Sequence, residues 1–380
     1  MKVADRLAAM PTPALLLEES RMLANIDRLR ERTARLGVAL RPHLKTAKSI
    51  EVARRLLAEG NGPAAVSTLR EAEMFFAAGV RDILYAVGIA PEKLPRVAAL
   101  RSAGCELSVI LDSTDQADAV VEASRAAASP IPALIEIDCD GHRGGIGPED
   151  DALIRIGCQL SEGAELRGVM AHAGESYGAV GEEAQAEFAE RERAVAVRAA
   201  TRLRDAGLRC PVVSVGSTPT ALAARNLAGV TEIRAGVSTF FDLFMAGIGV
   251  CATDDIALSV LTTVIGHQRS RGWILVDAGW MAMSRDRGTA NQAVDQGYGV
   301  VCDAEGRVIP DLILASANQE HGIVTVRPGS RATLPDFRIG ARLRILPNHA
   351  CATASQFDAY DVIPAEGGKA LARWERFGGW

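Results

Sequence analysis

The alternation of short apolar runs with longer helical patterns over residues 27–247 is the feature that most constrains the fold of this 380-residue chain. Eight runs suit β-strands, and the segments between them show helical spacing of apolar residues. Eight such βα units predict a (β/α)₈ TIM barrel. A doubly wound parallel sheet is the alternative, but no Gly-x-Gly-x-x-Gly motif follows the first strand. The eight runs are 38–41, 64–67, 82–87, 106–111, 132–138, 166–171, 211–215 and 231–234.

The rhythm changes after residue 247, where β-type runs follow one another with few helical patterns between them. Gly, Pro, Asn and Asp separate these runs, which indicates a β-rich domain. The run 14–17 is expected to add a strand to it. The sequence therefore predicts an α/β chain with a barrel at 27–247 and a β-rich domain made of 1–26 and 248–380. The later runs are 257–266, 273–277, 299–303, 312–316, 322–327 and 341–346.

Charge and composition exclude several classes of partner. The net charge of −5, a pI near 5.8 and the lack of a basic stripe argue against binding nucleic acid or an anionic membrane. No apolar stretch approaches the length of a membrane span, and residues 1–10 lack the core of a signal peptide. Seven cysteines without a Cys-x-x-Cys pair favour reduced thiols in the cytoplasm, six of them filling the core and Cys351 standing apart.

Lys45 follows the first predicted barrel strand, within the segment Arg-Pro-His-Leu-Lys-Thr-Ala-Lys at 41–48. Reactive groups of such barrels lie at the carboxyl ends of the strands. A lysine there can form a Schiff base with a carbonyl cofactor when burial and nearby cations lower its pKa. Arg41, His43 and Lys48 are expected to supply that positive potential. From this segment alone, an ordinary surface lysine at a helix start is the alternative.

Small residues follow the seventh and eighth predicted strands, where barrels of this kind commonly bind phosphate. Backbone N–H groups and hydroxyls of small residues can approach a phosphate closely, and a helix beginning at Pro219 would add its positive end. The alternative is a plain turn with a helix cap. Combined with the lysine after the first strand, the loops favour pyridoxal 5'-phosphate. The predicted phosphate-binding residues are Gly216, Ser217, Thr218, Gly236 and Val237.

His349 and Cys351 form a His-x-Cys triplet in the segment Pro-Asn-His-Ala-Cys at 347–351. Residues two apart in an extended segment point to the same face, so the two side chains can grip one metal ion. Two protein ligands are too few for a closed structural site, which leaves positions open for water or substrate. The alternative is a buried cysteine beside a polar histidine.

Five motif segments of this chain, three of them described above, together resemble the D-threonine aldolase and D-serine dehydratase family. The resemblance runs in the same order over nearly the whole chain. It implies a fold-type III enzyme, with an alanine-racemase-like barrel, a β domain and a homodimer whose active sites lie at the subunit interface. It also implies pyridoxal phosphate on Lys45 and a divalent metal (Mn, Mg, Co or Zn) on His349 and Cys351. The matching segments are 41–48, 138–145, 172–177, 216–220 and 347–351.

Other residues gain candidate roles from this resemblance. Arg143 and Tyr177, at the ends of the fifth and sixth strands, are expected to contact the cofactor, the alternatives being a surface ion pair and a rim aromatic. Arg234 is expected to face the pyridine nitrogen, by similarity to alanine racemase. Gln319 and His321 are expected to contact substrate, with an ordinary network of the β domain as the alternative.

The implied activity is a metal-activated dehydratase, a carbon–oxygen ammonia-lyase, acting on a β-hydroxy-D-amino acid such as D-threo-3-hydroxyaspartate. Lys45 would remove the α-proton while the metal polarises the β-hydroxyl, giving an oxoacid and ammonia. Dehydratases of the family carry His-x-Cys, whereas the aldolases tend to carry His-x-Asp. The alternatives are an aldolase giving glycine and an aldehyde, a non-catalytic pyridoxal-phosphate binding protein, and a racemase, which needs a second acid/base.

Overall fold

The computed structural model describes residues 3–366 and 370–380. Its contacts divide the chain into two compact units, a barrel unit (Asp27–Gly236 with Gly379–Trp380) and a β-rich unit (Met1–Ile26 with Val237–Gly378). The assignment of residues 27–247 as the cofactor-binding domain, and of 1–26 with 248–380 as the domain with a metal site, stays a prediction.

Strands and helices are numbered in chain order. The strands are β1 (Ala14–Glu18), β2 (Ala39–Leu40), β3 (Ala64–Val66), β4 (Asp82–Gly88), β5 (Glu106–Leu111), β6 (Pro132–Ile137), β7 (Glu165–Ala171), β8 (Val212–Val215), β9 (Glu232–Ile233), β10 (Leu258–Gln268), β11 (Trp273–Val276), β12 (Gly299–Cys302), β13 (Val308–Ala317), β14 (Gly322–Val326), β15 (Arg342–Pro347), β16 (Ala359–Ile363) and β17 (Ala372–Glu375). The helices are α1 (Val3–Ala9), α2 (Glu19–Arg35), α3 (Ile50–Leu56), α4 (Leu69–Ala77), α5 (Leu94–Ser102), α6 (Thr114–Ala126), α7 (Ala152–Gly163), α8 (Glu182–Asp205), α9 (Thr218–Ala223), α10 (Leu243–Gly247), α11 (Trp280–Met283) and α12 (Ala350–Ala354).

The barrel unit is built from eight parallel strands in the order β2-β9-β8-β7-β6-β5-β4-β3. The residues just after β2 close this sheet, because His43 forms a parallel bridge with Ala65 of β3. Leu44 N–H donates to the Ala65 carbonyl, and Ala65 N–H donates to the Pro42 carbonyl, each at 2.8 Å. The predicted barrel is thus confirmed, with a strand in each of the eight predicted runs, and the doubly wound alternative is wrong.

A layer of buried charges fills the barrel interior towards the amino ends of its strands. Arg41 Nε donates to both carboxylate oxygens of Glu232 at 2.9 Å, and its terminal nitrogens donate to Asp82 at 2.8 and 3.1 Å. Ser214 donates to Glu232 at 2.7 Å. Inward-pointing side chains from neighbouring strands are what pack the centre of such a barrel. Here part of that packing is ionic, so removing Arg41 would leave the buried carboxylate of Glu232 without its ion-pair partner.

The β-rich unit contains one sheet in the order β11-β14-β13-β12-β15-β10-β1-β16-β17. An additional antiparallel pairing of β10 with β11 closes six of these strands into a ring. β10 pairs with β1 and β15 through residues 258–263 and with β11 through residues 264–268, where the register shifts between Val264 and Gly266. The expected strand at 14–17 is confirmed as β1, which pairs antiparallel with β10 and parallel with β16. β16, β17 and α12 were not anticipated from the sequence.

All seven cysteines are free thiols. Cys105, Cys210 and Cys302 are buried, as expected of core residues. The expectation is wrong for Cys158, which is exposed, and for Cys139 and Cys251, which are partly exposed. Among the residues that the structure describes, no helix combines the length and apolarity that crossing a membrane requires.

Candidate active site

Lys45 lies just beyond β2, at the carboxyl ends of the barrel strands, and it is exposed. Its backbone N–H lies 3.4 Å from Nδ1 of His43, which accepts, and His43 Nε2 lies 3.5 Å from Ser67 Oγ. Burial, and then the charges of Lys45 and Arg234, hold the pKa of His43 well below its usual range. His43 is therefore a neutral ring that links the Lys45 segment to the residue following β3.

The prediction that Arg41, His43 and Lys48 supply the positive potential around Lys45 is wrong. Arg41 points to the amino ends of the strands, away from Lys45, because Glu232 and Asp82 bind it there. Lys48 Nζ lies 3.3 Å from the buried carboxylate of Glu71, and His43 is neutral. The cations that act on this end of the barrel are instead the two arginines named from the resemblance, since both depress the pKa of His43.

Arg234 and Arg143 occupy different environments. Arg234 is buried, and it donates to Ser214 Oγ at 2.8 Å and to the Ala171 carbonyl. Arg143 is half-exposed, with its guanidinium 3.6 Å from Glu136. That Arg143 contacts the cofactor and that Arg234 faces the pyridine nitrogen stay predictions.

Tyr177 and His172 lie together after β7, with ring centroids 6.3 Å apart and ring planes inclined by 43°. His172 Nδ1 donates to the Gly216 carbonyl at 2.9 Å. Burial, and then the charge of Arg143, lowers the pKa of His172 to about 3, although the bond to Gly216 opposes that shift. Tyr177 therefore lies beside a neutral histidine that is hydrogen-bonded to the predicted phosphate loop. Contact of Tyr177 with the cofactor stays a prediction.

The loop after β8 needs glycine at position 216. Gly216 has φ of 133°, and a Cβ there would lie 2.1 Å from the Arg234 carbonyl oxygen. Ser217 follows as the cap of α9 and exchanges hydrogen bonds with Thr220. The helix begins at Thr218, one residue before the expected start, and ends at Ala223, so it has a short helix dipole.

Thr218 is the residue of this loop with unused donors. Within the part of the chain that the structure describes, its buried hydroxyl has no hydrogen-bond partner. Its backbone N–H, at the first helical position, has no acceptor inside the helix. A hydroxyl and a backbone N–H are donors that a phosphate accepts from, so the residues present fit the phosphate group of pyridoxal phosphate.

Gly236 and Val237 follow β9. A Cβ on Gly236 would lie 3.0 Å from the His43 carbonyl oxygen, so the chain passes close to the Lys45 segment at this point. Val237 is buried and opens the helical turn Val237–Thr239, in the β-rich unit. Phosphate binding by these two residues stays a prediction.

His349 and Cys351 come together, although not for the reason that the sequence suggested. The segment is not extended there, because β15 ends at Pro347 and α12 begins at Ala350. His349 is the capping residue of that helix, Cys351 lies in its first turn, and their side chains are hydrogen-bonded.

Carboxylates surround this pair. His349 Nδ1 donates to Asp286 Oδ2 at 2.6 Å, and Asp242 accepts the N–H of Ala350 at 2.9 Å. Burial lowers the pKa of His349, but the bonds to Asp286 and Cys351 outweigh it and raise that pKa to about 11. The same bond to His349 lowers the pKa of Asp286. The arrangement favours a positive charge on the imidazole.

A histidine whose Nδ1 donates to a carboxylate has the orientation of metal-ligating histidines in general, with the other ring nitrogen left for the metal. The imidazole and thiol here fit a two-ligand, open site for a divalent metal. No group of three or more His, Cys, Asp or Glu placed to hold a metal ion occurs within residues 3–366 and 370–380. The donor set therefore fits an open site rather than a closed structural one.

Gln319 and His321 lie at the exposed turn between β13 and β14. Asn318 N–H donates to the His321 carbonyl at 2.8 Å, and Met281 N–H donates to the Gln319 carbonyl at 3.1 Å. The backbone of this turn is therefore held, while the side chains of Gln319 and His321 are exposed. Contact of Gln319 and His321 with substrate stays a prediction.

Two polar residues were missed from the sequence, Glu192 and Asp286. Glu192 carried a signal, since it shares the buried stripe of α8 with Ala189, Ala196 and Ala199. Asp286 carried none, because a charged residue in a turn such as Ser-Arg-Asp-Arg-Gly is ordinarily solvated.

Two family models match the chain. The model of the alanine racemase N-terminal domain matches residues 17–243, and the model of the serine dehydratase domain matches residues 257–363. The chain belongs to this alanine-racemase-like family of D-amino-acid enzymes. It is an enzyme of the lyase class, and the resemblance inferred from its motifs is confirmed.

Individual relatives cover the chain almost completely. The D-threo-3-hydroxyaspartate dehydratase of Delftia sp. strain HT23 is 54% identical over 99% of this chain and 100% of its own length. The D-serine dehydratase of Dictyostelium discoideum is 30% identical, covering 94% of this chain and 95% of its own, and the D-threonine aldolase of Arthrobacter sp. is 30% identical, covering 94% and 90%. A solved D-threo-3-hydroxyaspartate dehydratase, a cysteine-to-alanine mutant in the metal-free form, matches with a TM-score of 0.94 at 53% identity, over 98% of this chain and 99% of that one.

Proposed function

We propose that the chain is a pyridoxal-phosphate-dependent, divalent-metal-activated dehydratase of β-hydroxy-D-amino acids, with D-threo-3-hydroxyaspartate as its substrate. The observation that carries this proposal is the 54% identity, over 99% of the chain, to a D-threo-3-hydroxyaspartate dehydratase. The pairing of His349 with Cys351 supports it, because the family resemblance links His-x-Cys to dehydratases.

The barrel unit would hold the cofactor and move the α-proton. Pyridoxal phosphate, when bound, supplies an electron sink that makes the Cα–H bond of an attached amino acid acidic. Lys45 would carry the cofactor and, once the substrate amine displaces it, accept the α-proton at Nζ. Thr218 would donate its hydroxyl and N–H to the phosphate. Arg143 and Arg234 would favour the negative charges of phosphate and substrate.

The β-rich unit would hold the metal. His349 and Cys351 would be its protein ligands, Asp286 would orient the imidazole, and the ion would supply Lewis-acid polarisation of the β-hydroxyl. Loss of the α-proton and of hydroxide amounts to loss of one water. The enamine so formed takes up water and releases ammonia, which leaves an oxoacid.

A D-threonine or 3-hydroxy-D-aspartate aldolase is the second candidate. The 30% identity to a D-threonine aldolase over 94% of the chain favours it. In that reaction the hydroxyl loses its proton and the Cα–Cβ bond breaks, giving glycine and an aldehyde. A non-catalytic pyridoxal-phosphate binding protein is less well supported, because such proteins consist of the barrel alone.

Product analysis tests this proposal. The holoenzyme is incubated with D-threo-3-hydroxyaspartate, with and without EDTA, and both ammonia and glycine are assayed. We expect ammonia and oxoacid in equal amounts, little glycine, loss of activity with EDTA and recovery with Mn²⁺. Glycine as the main product would establish the aldolase instead, and full metal-free activity of a His349→Ala variant would contradict the role of the metal.

We further propose a cytoplasmic homodimer. The seven free thiols support the compartment, because disulfides are rare in the cytoplasm. The dimer rests on the family resemblance alone. Light scattering of the purified protein should give twice the mass of the 40.2 kDa chain.

A further inference from the structure

Glu192 is a carboxyl group buried in the middle of α8, with 1% of its surface exposed. The other buried residues of the helix are alanines, one leucine and Gln185, whose amide donates to the Ala179 carbonyl at 3.1 Å. A carboxyl group in such a place is strongly unfavourable unless donors from elsewhere satisfy it.

Three separate segments of the barrel unit supply those donors. Glu192 Oε1 accepts the backbone N–H of Ala173, after β7, and that of Gly216, after β8, each at 2.9 Å. Glu192 Oε2 accepts the hydroxyl of Thr220, in the first turn of α9, at 2.8 Å. One side chain thus ties together two strand-end loops and the start of a helix.

These bonds decide which donors of the loop remain available. The N–H of Gly216 is used by Glu192, and the N–H of Ser217 is used by Thr220 Oγ1 at 2.9 Å. Ser217 Oγ lies 2.8 Å from Ser176 Oγ, whose own proton goes to the Ala173 carbonyl. Among residues 3–366 and 370–380, nothing partners the buried hydroxyl of Thr218, and its N–H has no acceptor inside the helix.

We propose that Glu192 is the positioning residue of the cofactor's phosphate cradle, fixing the loop after β8 so that Thr218 presents its hydroxyl and N–H to the phosphate. This inference rests on the proposed function, because it assumes that pyridoxal phosphate is the group bound. Glu192 does not touch the phosphate itself, since its two oxygens are occupied by the three donors. Burial raises the pKa of Glu192, although these bonds and the charge of Arg234 oppose that shift.

The test compares two forms of the cofactor that differ only in the phosphate. Calorimetric titration of cofactor-stripped full-length protein with pyridoxal phosphate and with pyridoxal gives both affinities. We expect Glu192→Ala to weaken pyridoxal phosphate binding roughly ten- to hundredfold, as for loss of hydrogen bonds to a charged group. Pyridoxal binding should change less than about twofold, because that form makes no use of the cradle.

Glu192→Gln is the conservative variant. Its amide oxygen can accept the N–H groups of Ala173 and Gly216, and its amide nitrogen can donate to Thr220. We expect it to restore pyridoxal phosphate affinity to within about fivefold of wild type. Glu187→Ala, which removes an exposed carboxylate of the same helix, is the matched control and should bind like wild type.

Each remaining outcome decides against the proposal. Equal weakening of pyridoxal and pyridoxal phosphate binding in Glu192→Ala would mean that the residue only supports the fold, and unchanged affinity would remove any role in the cradle. If Glu192→Ala does not fold, Thr220→Val replaces it, and undiminished phosphate selectivity in that variant overturns the inference. A wild-type protein that binds neither form would refute the proposed function as well, which separates the two failures.

Discussion

Two buried histidines of the barrel unit and one histidine of the β-rich unit have pKa values shifted in opposite directions. In the barrel unit, His43 and His172 have lowered pKa values, that of His172 reaching about 3. In the β-rich unit, His349 has a pKa raised to about 11. Burial lowers all three values, so burial does not explain the difference. The hydrogen bonds to Asp286 and Cys351, and the charges around each ring, explain it.

The difference shows what each unit is suited to bind. The end of the barrel that carries Lys45 collects Arg143 and Arg234 and keeps His43 and His172 neutral, which favours anions such as a phosphate or a substrate carboxylate. The cluster around His349 consists of carboxylates and a thiol, which favours a cation, whether a proton or a metal ion. The electrostatics of the described residues thus favour an anion in the barrel unit and a cation in the β-rich unit.

Removing Lys45 should give the largest effect, because it tests the barrel half of this comparison at its reactive group. We expect Lys45→Ala to lower ammonia release from D-threo-3-hydroxyaspartate at least roughly 10³-fold, since both the covalent attachment and the general base are lost. Borohydride-reduced wild type should gain the mass of the cofactor, and the variant should not. Lys93→Ala, which removes a lysine bonded to Tyr85, should keep normal activity. A variant of Lys45 with substantial turnover would refute its assignment.

Neutralising Asp286 should give a smaller effect that tests the β-rich half. We expect Asp286→Asn to weaken Mn²⁺ binding roughly 10- to 100-fold, because the imidazole of His349 loses a charged acceptor that orients it. Calorimetric titration of EDTA-treated protein measures this. The control is Asp336→Asn, since Asp336 is an exposed carboxylate paired with Arg269. Equal Mn²⁺ affinities of Asp286→Asn and wild type would show that His349 is not held for a metal by this bond.

The barrel was predictable because its signal is repeated and local. Each of the eight runs is a short apolar segment between turn residues, and one misread run would not have changed the architecture. Isolated elements had no such redundancy. α12 is only five residues long and is separated from the end of β15 by two residues, so it is too short to show a helical period despite its three alanines. The expectation that His349 and Cys351 lie in an extended segment failed for this reason.

Side-chain partners were less predictable than positions, because they depend on contacts between residues far apart in the chain. Arg41 was expected to act near Lys45, yet Glu232 and Asp82, 191 and 41 residues away, turn it to the other end of the barrel. His349 is hydrogen-bonded to Asp286, which lies 63 positions earlier in the chain. Single-sequence patterns report on spacing within one element, and these pairings are set only when the strands are assembled.

Replacing His172 should give the smallest effect, and it tests whether the barrel histidines are kept neutral. The folded pKa of about 3 lies below the unfolded value of 6.5, so between these pH values the unfolded chain binds a proton that the folded chain does not. Stability from this residue is therefore present above pH 6.5 and is lost as the pH falls from 6.5 towards 3. His172→Gln, whose amide can still donate to the Gly216 carbonyl, has no such proton to bind.

We expect wild type to lose about 1–2 kcal/mol more unfolding free energy than the His172→Gln variant between pH 6.5 and 5, measured by urea unfolding. Parallel pH dependences of the two proteins would mean that His172 takes up a proton in the folded state as readily as in the unfolded chain. The difference in histidine pKa between the two units would then rest on His43 and His349 alone.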